Sequence, residues 1–233
     1  MPESPTPPLG PPVPGGPARR PEPIVLEGRY VRLVPFEAER HAASLYALSH
    51  GPEKEALWAY LFAAPFPDEA AFAAAYAEAA KKADPLLFVI EEAGSGRAVG
   101  HATFMRIEPA HRVIEVGNIL YTPPLQRTAG ASEAMYLMAR HVFEELGYRR
   151  YEWKCNALNA PSRRAAERLG FTFEGLFRQH MIVKGLSRDT AWFALLDGDW
   201  PKAKAAFEAF LAPGNFDAEG RQRRRLEDIR AAL

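Results

Sequence analysis

The sequence predicts a mixed α/β (α+β) domain, with a mostly antiparallel sheet, a central β–α–β crossover and flanking helices. Three strand-like segments follow a group of alanine-rich helical segments, and a hairpin pattern closes the domain. Between them, a helical pattern connects strand-like runs at 113–121 and 150–155. Because strands joined through a helix in this way run parallel, the crossover places one parallel pair in a sheet of hairpins.

The segments before the crossover are a strand, three helices and a meander. Residues 29–34 (RYVRLV) alternate polar and apolar side chains, as half-buried strands do. Helices are predicted at 37–49, 53–62 and 68–82, and Asp68 is placed to cap the third. Strands are predicted at 86–91, 98–107 and 113–121. The glycine-rich run AGSGR between the first two of these strands indicates a hairpin turn.

From the crossover onward, the hydrophobic period changes from that of strands to that of helices. Apolar residues from Ala131 to Val142 fall at helical spacing, and Gly147 is placed to end that helix. A strand at 150–155 then leads to a short helix at 159–169, with Pro161 in its first turn and Gly170 at its end. The last predicted elements are strands at 171–183 and 190–196, joined by the polar turn KGLSRD, and a helix at 201–211.

Two extensions flank the domain predicted at residues 24–212. Residues 1–23 contain ten prolines and predict a disordered leader. Residues 213–233 form a basic, amphipathic helical extension whose run RQRRRLEDIR could contact nucleic acid. Helical spacing of Leu226, Ile229 and Leu233 instead favours a helix docked on the domain or on the partner in a possible homodimer.

Composition excludes few classes of function but is informative about location. Lysine plus arginine equals aspartate plus glutamate, 29 against 29, so no global charge attracts nucleic acid or an acidic membrane. No apolar run approaches the ~20 residues of a membrane span. The single cysteine, Cys155, excludes an internal disulfide and suits a reducing cytoplasm. The six histidines and one cysteine show no metal-ligand spacing, so no metal is expected.

The loop QRTAGASEAM, residues 126–135, is a candidate phosphate-binding site. A loop that opens a helix presents free backbone N–H groups and the positive end of the helix dipole to an anion. Three residues offer side-chain donors and three offer small side chains: Gln126, Arg127, Thr128, Ala129, Gly130 and Ala131. The alternative is an ordinary helix start, in which Glu133 complements the dipole.

A second candidate is the run CNALNAPSRRAAERLGF, which starts at Cys155. Asn159 and Ser162 stand at the start of its helix, where both could serve only as caps. If the preceding strand neighbours the strand at 113–121, Asn159 lies beside the exit of the phosphate loop. A long cofactor arm would pass there.

The two runs together resemble the GNAT superfamily of N-acetyltransferases, and most closely its RimJ/RimL-type branch. That branch has a Glu-x-Gly strand, a Gln-x-x-Gly-x-Gly/Ala loop continuing into Glu-Ala, and an Asn-x-x-Ser helix ending in Gly-Phe-x-x-Glu-Gly. This chain supplies matching residues in order over residues 24–201: Glu115, Gly117, Gln126, Ala131, Glu133, Ala134, Asn159, Ser162, Gly170, Phe171, Glu174 and Gly175. The resemblance implies a GNAT fold that binds acetyl-CoA at the loop. Ala129 stands where the loop's first glycine is expected. Alanine can occupy this position only if its φ is negative.

In that family an amine attacks the thioester directly, and the resemblance assigns roles to particular positions. Glu115 is the candidate base, although an acidic residue on a strand is often only solvated. Backbone N–H groups near Leu120 and Tyr121 would bind the oxyanion. Ala166 stands where many family members carry a proton-donating tyrosine, so Ser162 is the candidate donor. Cys155 is interpreted as a buried small hydrophobe rather than a nucleophile.

The resemblance implies an amine acceptor, either a protein N-terminus or a small molecule. His101, His111 and His180 could line its site, and their spacing selects none of them. A non-catalytic GNAT-like module that binds an acyl-CoA or a protein is the alternative function, and turnover on any acceptor would distinguish the two.

Overall fold

Eight strands form one sheet in the order β1–β2–β3–β4–β5–β6–β8–β7. The structure is a computed structural model that describes residues 9–233, so the first eight residues of the predicted leader lie outside it. The strands are β1 (Leu26–Glu27), β2 (Val31–Pro35), β3 (Leu86–Glu92), β4 (Ala98–Glu108), β5 (Val113–Tyr121), β6 (Arg150–Asn156), β7 (Thr172–Val183) and β8 (Leu186–Leu196). β5 and β6 pair in parallel, and every other neighbouring pair is antiparallel. The predicted fold class is confirmed.

Six α-helices flank this sheet. They are α1 (Ala38–Ser49), α2 (Glu69–Ala80), α3 (Ala129–Arg140), α4 (Ala160–Leu169), α5 (Trp200–Leu211) and α6 (Leu226–Ala231). The predicted caps are confirmed: Asp68 Oδ1 accepts from the N–H of Ala71 at 2.8 Å, and Gly170 ends α4 with φ +103°. In the part of the chain from residue 9 onward, no helix has both the length and the apolar surface needed to cross a membrane.

Two predicted elements differ from the structure. Instead of a helix at 53–62 there is only a 3-10 turn at Glu55–Trp58, since Glu53 has φ +70° and breaks the helical path. The polar turn predicted between the last two strands is shorter, because Lys184 and Gly185 both have positive φ and close a two-residue hairpin. β8 therefore begins four residues before the predicted 190, at Leu186.

The sheet separates two hydrophobic clusters. One, which contains Val34, Leu45 and Phe72, is covered by α1 and α2. The larger one lies on the opposite face beneath α3, α4, α5 and α6 and includes Phe104 and Met138. α1 and α2 cover the face of β2–β4, so β6 and β8 carry no helix on that side. The functional residues of the next subsection lie on this uncovered part.

Glu133 attaches α3 to the start of the sheet. Its carboxylate accepts hydrogen bonds from the backbone N–H groups of Arg29, Tyr30 and Val31 at 2.9, 2.6 and 2.9 Å. The side chain is 5 % exposed, so these bonds form away from water. The expectation that Glu133 complements the helix dipole is therefore wrong, because the carboxylate is directed across to the β1–β2 turn.

The two predicted extensions contact the domain where the structure describes them. The backbone N–H groups of Ala18 and Arg19 donate to the carbonyls of Pro109 and Leu146, at 3.0 and 2.9 Å. The disorder of the leader at 1–23 stays a prediction, and these two bonds place its end beside the domain. The division of the chain at residues 23 and 212 stays a prediction.

The C-terminal helix α6 docks on α5 and α4. Leu226 and Ile229 are buried, as the helical spacing predicts, whereas Leu233 is 63 % exposed. The Arg230 guanidinium donates to the carbonyls of Arg168 and Glu167, at 2.6 and 2.8 Å. The Arg168 carbonyl in the last turn of α4 thereby gains a donor, whereas the Glu167 carbonyl also accepts from the N–H of Gly170.

We expect Glu133→Gln to lower the free energy of unfolding by about 2–4 kcal/mol, because hydrogen bonds to a buried charged acceptor are strong. Chemical denaturation followed by circular dichroism measures this change. Glu69→Gln, an exposed acidic residue in the first turn of α2, is the matched control. Equal stability of the two variants would contradict the role given to Glu133.

Candidate active site

β5 and β6 run side by side only as far as Val116 and Trp153, the last residues in their ladder. Both strands continue beyond this point, to Tyr121 and Asn156. On its other side, β5 stays paired with β4 through a bulge, in which two residues of β5 oppose one of β4 and Asn118 has φ +48°. A bulge bends its strand. The second half of β5 therefore turns away from β6 and directs backbone groups into the gap.

The phosphate loop lies directly after this gap. Thr128 caps α3, since its Oγ1 accepts from the N–H of Ala131 at 3.1 Å and donates to the carbonyl of Leu125 at 2.7 Å. Ala129 begins the helix with helical geometry, so it meets the requirement of a negative φ. Within residues 9–233, the N–H groups of Arg127, Ala129 and Gly130 make no hydrogen bond. Free amides at the start of a helix are a site for an anion.

Two predicted cofactor residues are engaged in holding the loop. Gln126 Nε2 donates to the carbonyl of Tyr121 at 2.8 Å, and the Tyr121 hydroxyl donates to the carbonyl of Ala131 at 2.9 Å. Burial raises the pKa of Tyr121 above its usual value, which keeps that hydroxyl protonated. Leu120 is only 1 % exposed as a whole residue, and its side chain packs in the core with α1 and α2. Arg127 is exposed and has φ +62°.

Gly130 serves the packing of α3 against the sheet. A Cβ at this position would lie 2.7 Å from Cγ1 of Val31, closer than two carbon atoms can approach. The sequence led us to expect that its small size admits a pyrophosphate. The structure instead gives the missing side chain a role in the contact between α3 and β2, and leaves Ala129 and Ala131 half-buried at the loop surface.

Asn159 and Ser162 occupy the start of α4, beside the gap. Asn159 Oδ1 accepts from the N–H of Ser162 at 3.1 Å, so Asn159 is a cap. Ser162 Oγ is not a cap: it accepts from the indole Nε1 of Trp153 at 3.0 Å, and its hydroxyl lies beside the Cys155 thiol. Cys155 is buried, and burial raises the pKa of its thiol, as expected of a small hydrophobe, while the hydrogen bond with Ser162 opposes this rise. Ala166 is fully buried.

A row of alternating charges crosses the uncovered face of the sheet from β4 to β7. We call it the charge chain, and its members in order are Arg106, Glu115, Lys154, Glu152, Arg150 and Glu174. Lys154 Nζ is 2.9 Å from Glu115 Oε2, 2.6 Å from Glu152 Oε2 and 3.9 Å above the Trp192 ring. The guanidinium of Arg150 lowers the pKa of Glu174. Sequence reasoning missed the basic members, although charges at every second position of β6 were a usable signal.

Glu115 lies in the middle of this chain at 2 % exposure, which excludes the alternative that it is a solvated surface residue. Both of its cationic partners bind Oε2: Arg106 at 2.6 Å and Lys154 at 2.9 Å. The other oxygen, Oε1, lies 3.3 Å from where a Cβ of Gly117 would be. Because Gly117 has no side chain, Oε1 faces the point at which β5 leaves β6.

The three histidines lie in different places. His111 is exposed in the β4–β5 turn, at the far end of the sheet, so it does not line the acceptor side. His180 is exposed on β7, with Nδ1 2.9 Å from Oγ1 of Thr190. His101 is buried beneath α2, with Nε2 2.7 Å from the Tyr76 hydroxyl. Its Nδ1 lies near the carbonyl of Asn118 in the bulge without forming a hydrogen bond within the described part of the chain.

Comparison with protein families gives one match, to the sequence model described as an acetyltransferase (GNAT) domain, which covers residues 31–172. A search among curated proteins finds no match. Across residues 9–233, no three His, Cys, Asp or Glu side chains form a group that could hold a metal ion.

Solved structures give close matches over most of the chain. A GCN5-related N-acetyltransferase from Brucella melitensis is 47 % identical, with a TM-score of 0.91 over 93 % of this chain and 98 % of that one. A probable GNAT acetyltransferase from Chromobacterium violaceum is 39 % identical, with a TM-score of 0.76 over 84 % of this chain and all of that one. The microcin C7 self-immunity acetyltransferase MccE, solved with acetyl-CoA and AMP, shares the fold at 18 % identity and a TM-score of 0.63, over 72 % of this chain and 93 % of that one.

Because His101 is buried in its neutral form, we expect the free energy of unfolding to depend on pH. Burial lowers its pKa from 6.5 to about 4, so below pH 6.5 the unfolded chain binds a proton that the folded protein does not. Stability due to this group is therefore fully present above the unfolded pKa and is lost as the pH falls towards 4, by about 3 kcal/mol in all.

We would measure the free energy of unfolding between pH 7 and pH 4 for the parent protein and for His101→Gln. In this variant the amide oxygen of glutamine can still accept a hydrogen bond from Tyr76. We expect the variant to lose less stability than the parent between pH 7 and pH 4. Parallel pH profiles would contradict the assignment.

Proposed function

Since this chain belongs to the GNAT family of acetyltransferases, we propose that it transfers the acetyl group of acetyl-CoA directly to a primary amine. The observation that carries the proposal is the gap between β5 and β6, which leads to the free amides at the start of α3. A pantetheine arm is an extended chain of amides, and it could pair with the unpaired edge of β5 while the pyrophosphate binds at the loop. The protein would use no metal.

We assign the cofactor-binding roles as the sequence suggested. The backbone of Leu120 and Tyr121 binds the thioester end, and residues Gln126 to Ala131 form the pyrophosphate loop. Arg127 supports this assignment, since it is exposed and lies at the positive-φ position of the loop. Asn159 has its amide nitrogen free of hydrogen bonds within the described residues, so it can donate to the arm while its oxygen caps α4.

In the reaction, the amine nitrogen forms a bond to the thioester carbonyl carbon, and the carbon–sulfur bond then breaks. Glu115 accepts the proton of the amine, directly or through water, at Oε1, the oxygen that faces Gly117. The N–H groups of residues 119–121 stabilise the oxyanion. Ser162, at the start of α4 beside the gap, passes its hydroxyl proton to the departing thiolate and regains one through solvent from the protonated Glu115, so that the amine proton ends on CoA.

The acceptor is a protein N-terminus or a small amine. The RimJ/RimL-type branch that the motifs resemble includes enzymes of both kinds, so the motifs do not choose between them. A putative ribosomal-protein-serine acetyltransferase from Vibrio cholerae shares only the fold, at 19 % identity. We propose a cytoplasmic enzyme in which the uncovered face of β5–β8 receives the acceptor, and a homodimer is compatible with this.

The test is a thiol-release assay with acetyl-CoA and a panel of peptides, polyamines and amino acids. We expect acetyl-CoA-dependent release of CoA with at least one amine, with the acetyl group recovered on nitrogen by mass spectrometry. Binding of acetyl-CoA by calorimetry, without turnover on any acceptor, would favour a non-catalytic binding module instead.

We expect Ser162→Ala to lower kcat by about 10–100-fold and to change the acetyl-CoA dissociation constant little, because proton transfer acts mainly on the transition state. Steady-state kinetics and calorimetry measure the two quantities. Ser95→Ala, in the distant β3–β4 turn, is the control. An unchanged kcat would remove Ser162 from the mechanism, and a loss confined to acetyl-CoA affinity would make it a binding residue.

A further inference from the structure

Arg188 lies on the same face of the sheet as Glu115. Residues at alternate positions of a strand share a face, so Arg188, Thr190 and Trp192 point to one side of β8. Trp192 is directly opposite Lys154 in the β6–β8 ladder, and Lys154 pairs with Glu115. Arg188 thus belongs to the uncovered face, beyond the end of β6.

The Arg188 guanidinium is buried, with few partners. The residue is 7 % exposed, its Nε donates to Oγ1 of Thr190 at 3.2 Å, and its guanidinium carbon is 5.4 Å from the centre of the Phe62 ring. Among the described residues, no carboxylate pairs with it. Its sequence neighbour Asp189 accepts from the backbone N–H of Gln179 instead. A guanidinium has five N–H donors in a planar fork, so most of its binding capacity is unused.

The surrounding charges do not compensate Arg188. The charge chain contains three cations and three carboxylates that pair with one another, so it is neutral as a whole. Arg188 therefore adds an unbalanced positive charge. Burial lowers its pKa, Glu115 and Cys155 oppose that effect, and Arg106 adds to it. A buried charge without a partner is costly, and an anionic ligand would remove that cost.

Aromatic side chains lie on the same face of the sheet as this cation, and the Phe62 ring contacts it. Phe62 and Phe177 are each nearly half exposed, and the rings of Phe177 and Trp192 are 4.5 Å apart. The segment that carries Phe62 is held over the sheet, because Tyr60 donates to the carbonyl of Leu158 at 3.2 Å and Lys184 donates to that of Trp58 at 2.6 Å. The buried guanidinium of Arg188 can bind an anionic group, and the exposed rings of Phe62 and Phe177 can contact an apolar one. The site therefore suits a ligand that carries both.

We propose that Arg188 binds the carboxylate of the acceptor, so that the acceptor is a small amine of the amino-acid class with an apolar side chain. This inference rests on the proposed function, since it places the amine at Glu115. A phosphate of the cofactor is the other anion to consider. Arg188 lies on the face of the sheet that carries Glu115, whereas α3 packs on the opposite face, which favours the acceptor.

The first experiment measures binding to the protein saturated with free CoA, which occupies the cofactor site and has no acetyl group to transfer. Leucine and phenylalanine are compared with their carboxamides and with the amines that lack the carboxylate, by calorimetry. We expect the carboxylate to strengthen binding by at least about tenfold over the carboxamide, as charge-assisted bidentate pairs do. Equal affinities for the amino acids and their carboxamides would overturn the proposal, and this test needs no variant of the protein.

The second experiment compares Arg188→Gln and Arg188→Lys with Arg178→Gln, an exposed arginine of the same hairpin. We expect Arg188→Gln to abolish the preference for the carboxylate, Arg188→Lys to retain part of it, and Arg178→Gln to leave it unchanged. Thermal melting of each variant verifies folding. Preference retained in a folded Arg188→Gln variant would overturn the proposal.

Kinetics separate this inference from the proposed function. We expect Arg188→Gln to raise KM for the amino acid at least about tenfold, and to raise KM for neutral amines much less, because they carry no carboxylate. An equal loss of kcat on every acceptor would assign Arg188 to the oxyanion and overturn the proposal. A peptide N-terminus used better than every amino acid would also overturn it, while leaving the acetyltransferase function intact.

Discussion

The separation of β5 from β6 is the constraint on which the site depends. A continuous ladder would satisfy every backbone group of β5 internally and leave none for a ligand. The bulge at Asn118 ends the parallel pairing after Val116, and the only cost is a short length of unpaired edge. The same bend directs the end of β5 towards the start of α3. The gap between β5 and β6 therefore leads directly to the free amides at the start of that helix.

Several residues around the gap act as supports and do not need to touch a ligand. Glu133 fixes α3 to the β1–β2 turn, Gly130 allows that helix to approach β2, and Tyr121 joins the strand to the first turn. A rigid scaffold of this kind holds the backbone N–H donors in place while negative charge develops on the oxyanion. Donors fixed in advance are the condition for electrostatic stabilisation of a transition state.

Much of this architecture could be predicted from the sequence, because its signals are local. The change of hydrophobic period at Ala131, the cap at Asp68 and the glycine at Gly170 each determine a helix boundary through nearby atoms. Contacts between distant segments could not be predicted in this way. Nothing near Glu133 in the chain indicates that it binds the turn at residues 29–31, about a hundred positions away. Arg106 was missed for the same reason, since its carboxylate partner is on another strand.

The charge chain also limits how this face can change during evolution. Each carboxylate in it is shared by two cations or completes the end of the row, so one substitution upsets the neutrality of the row, at most cost where the members are buried, at Glu115, Lys154 and Glu152. Substitutions that keep the charge chain neutral must therefore occur at two positions together, either on neighbouring strands or along β6. Relatives of this protein should show Glu115 and Lys154 changing together, and the pattern of paired replacements would reveal which members of the chain are coupled.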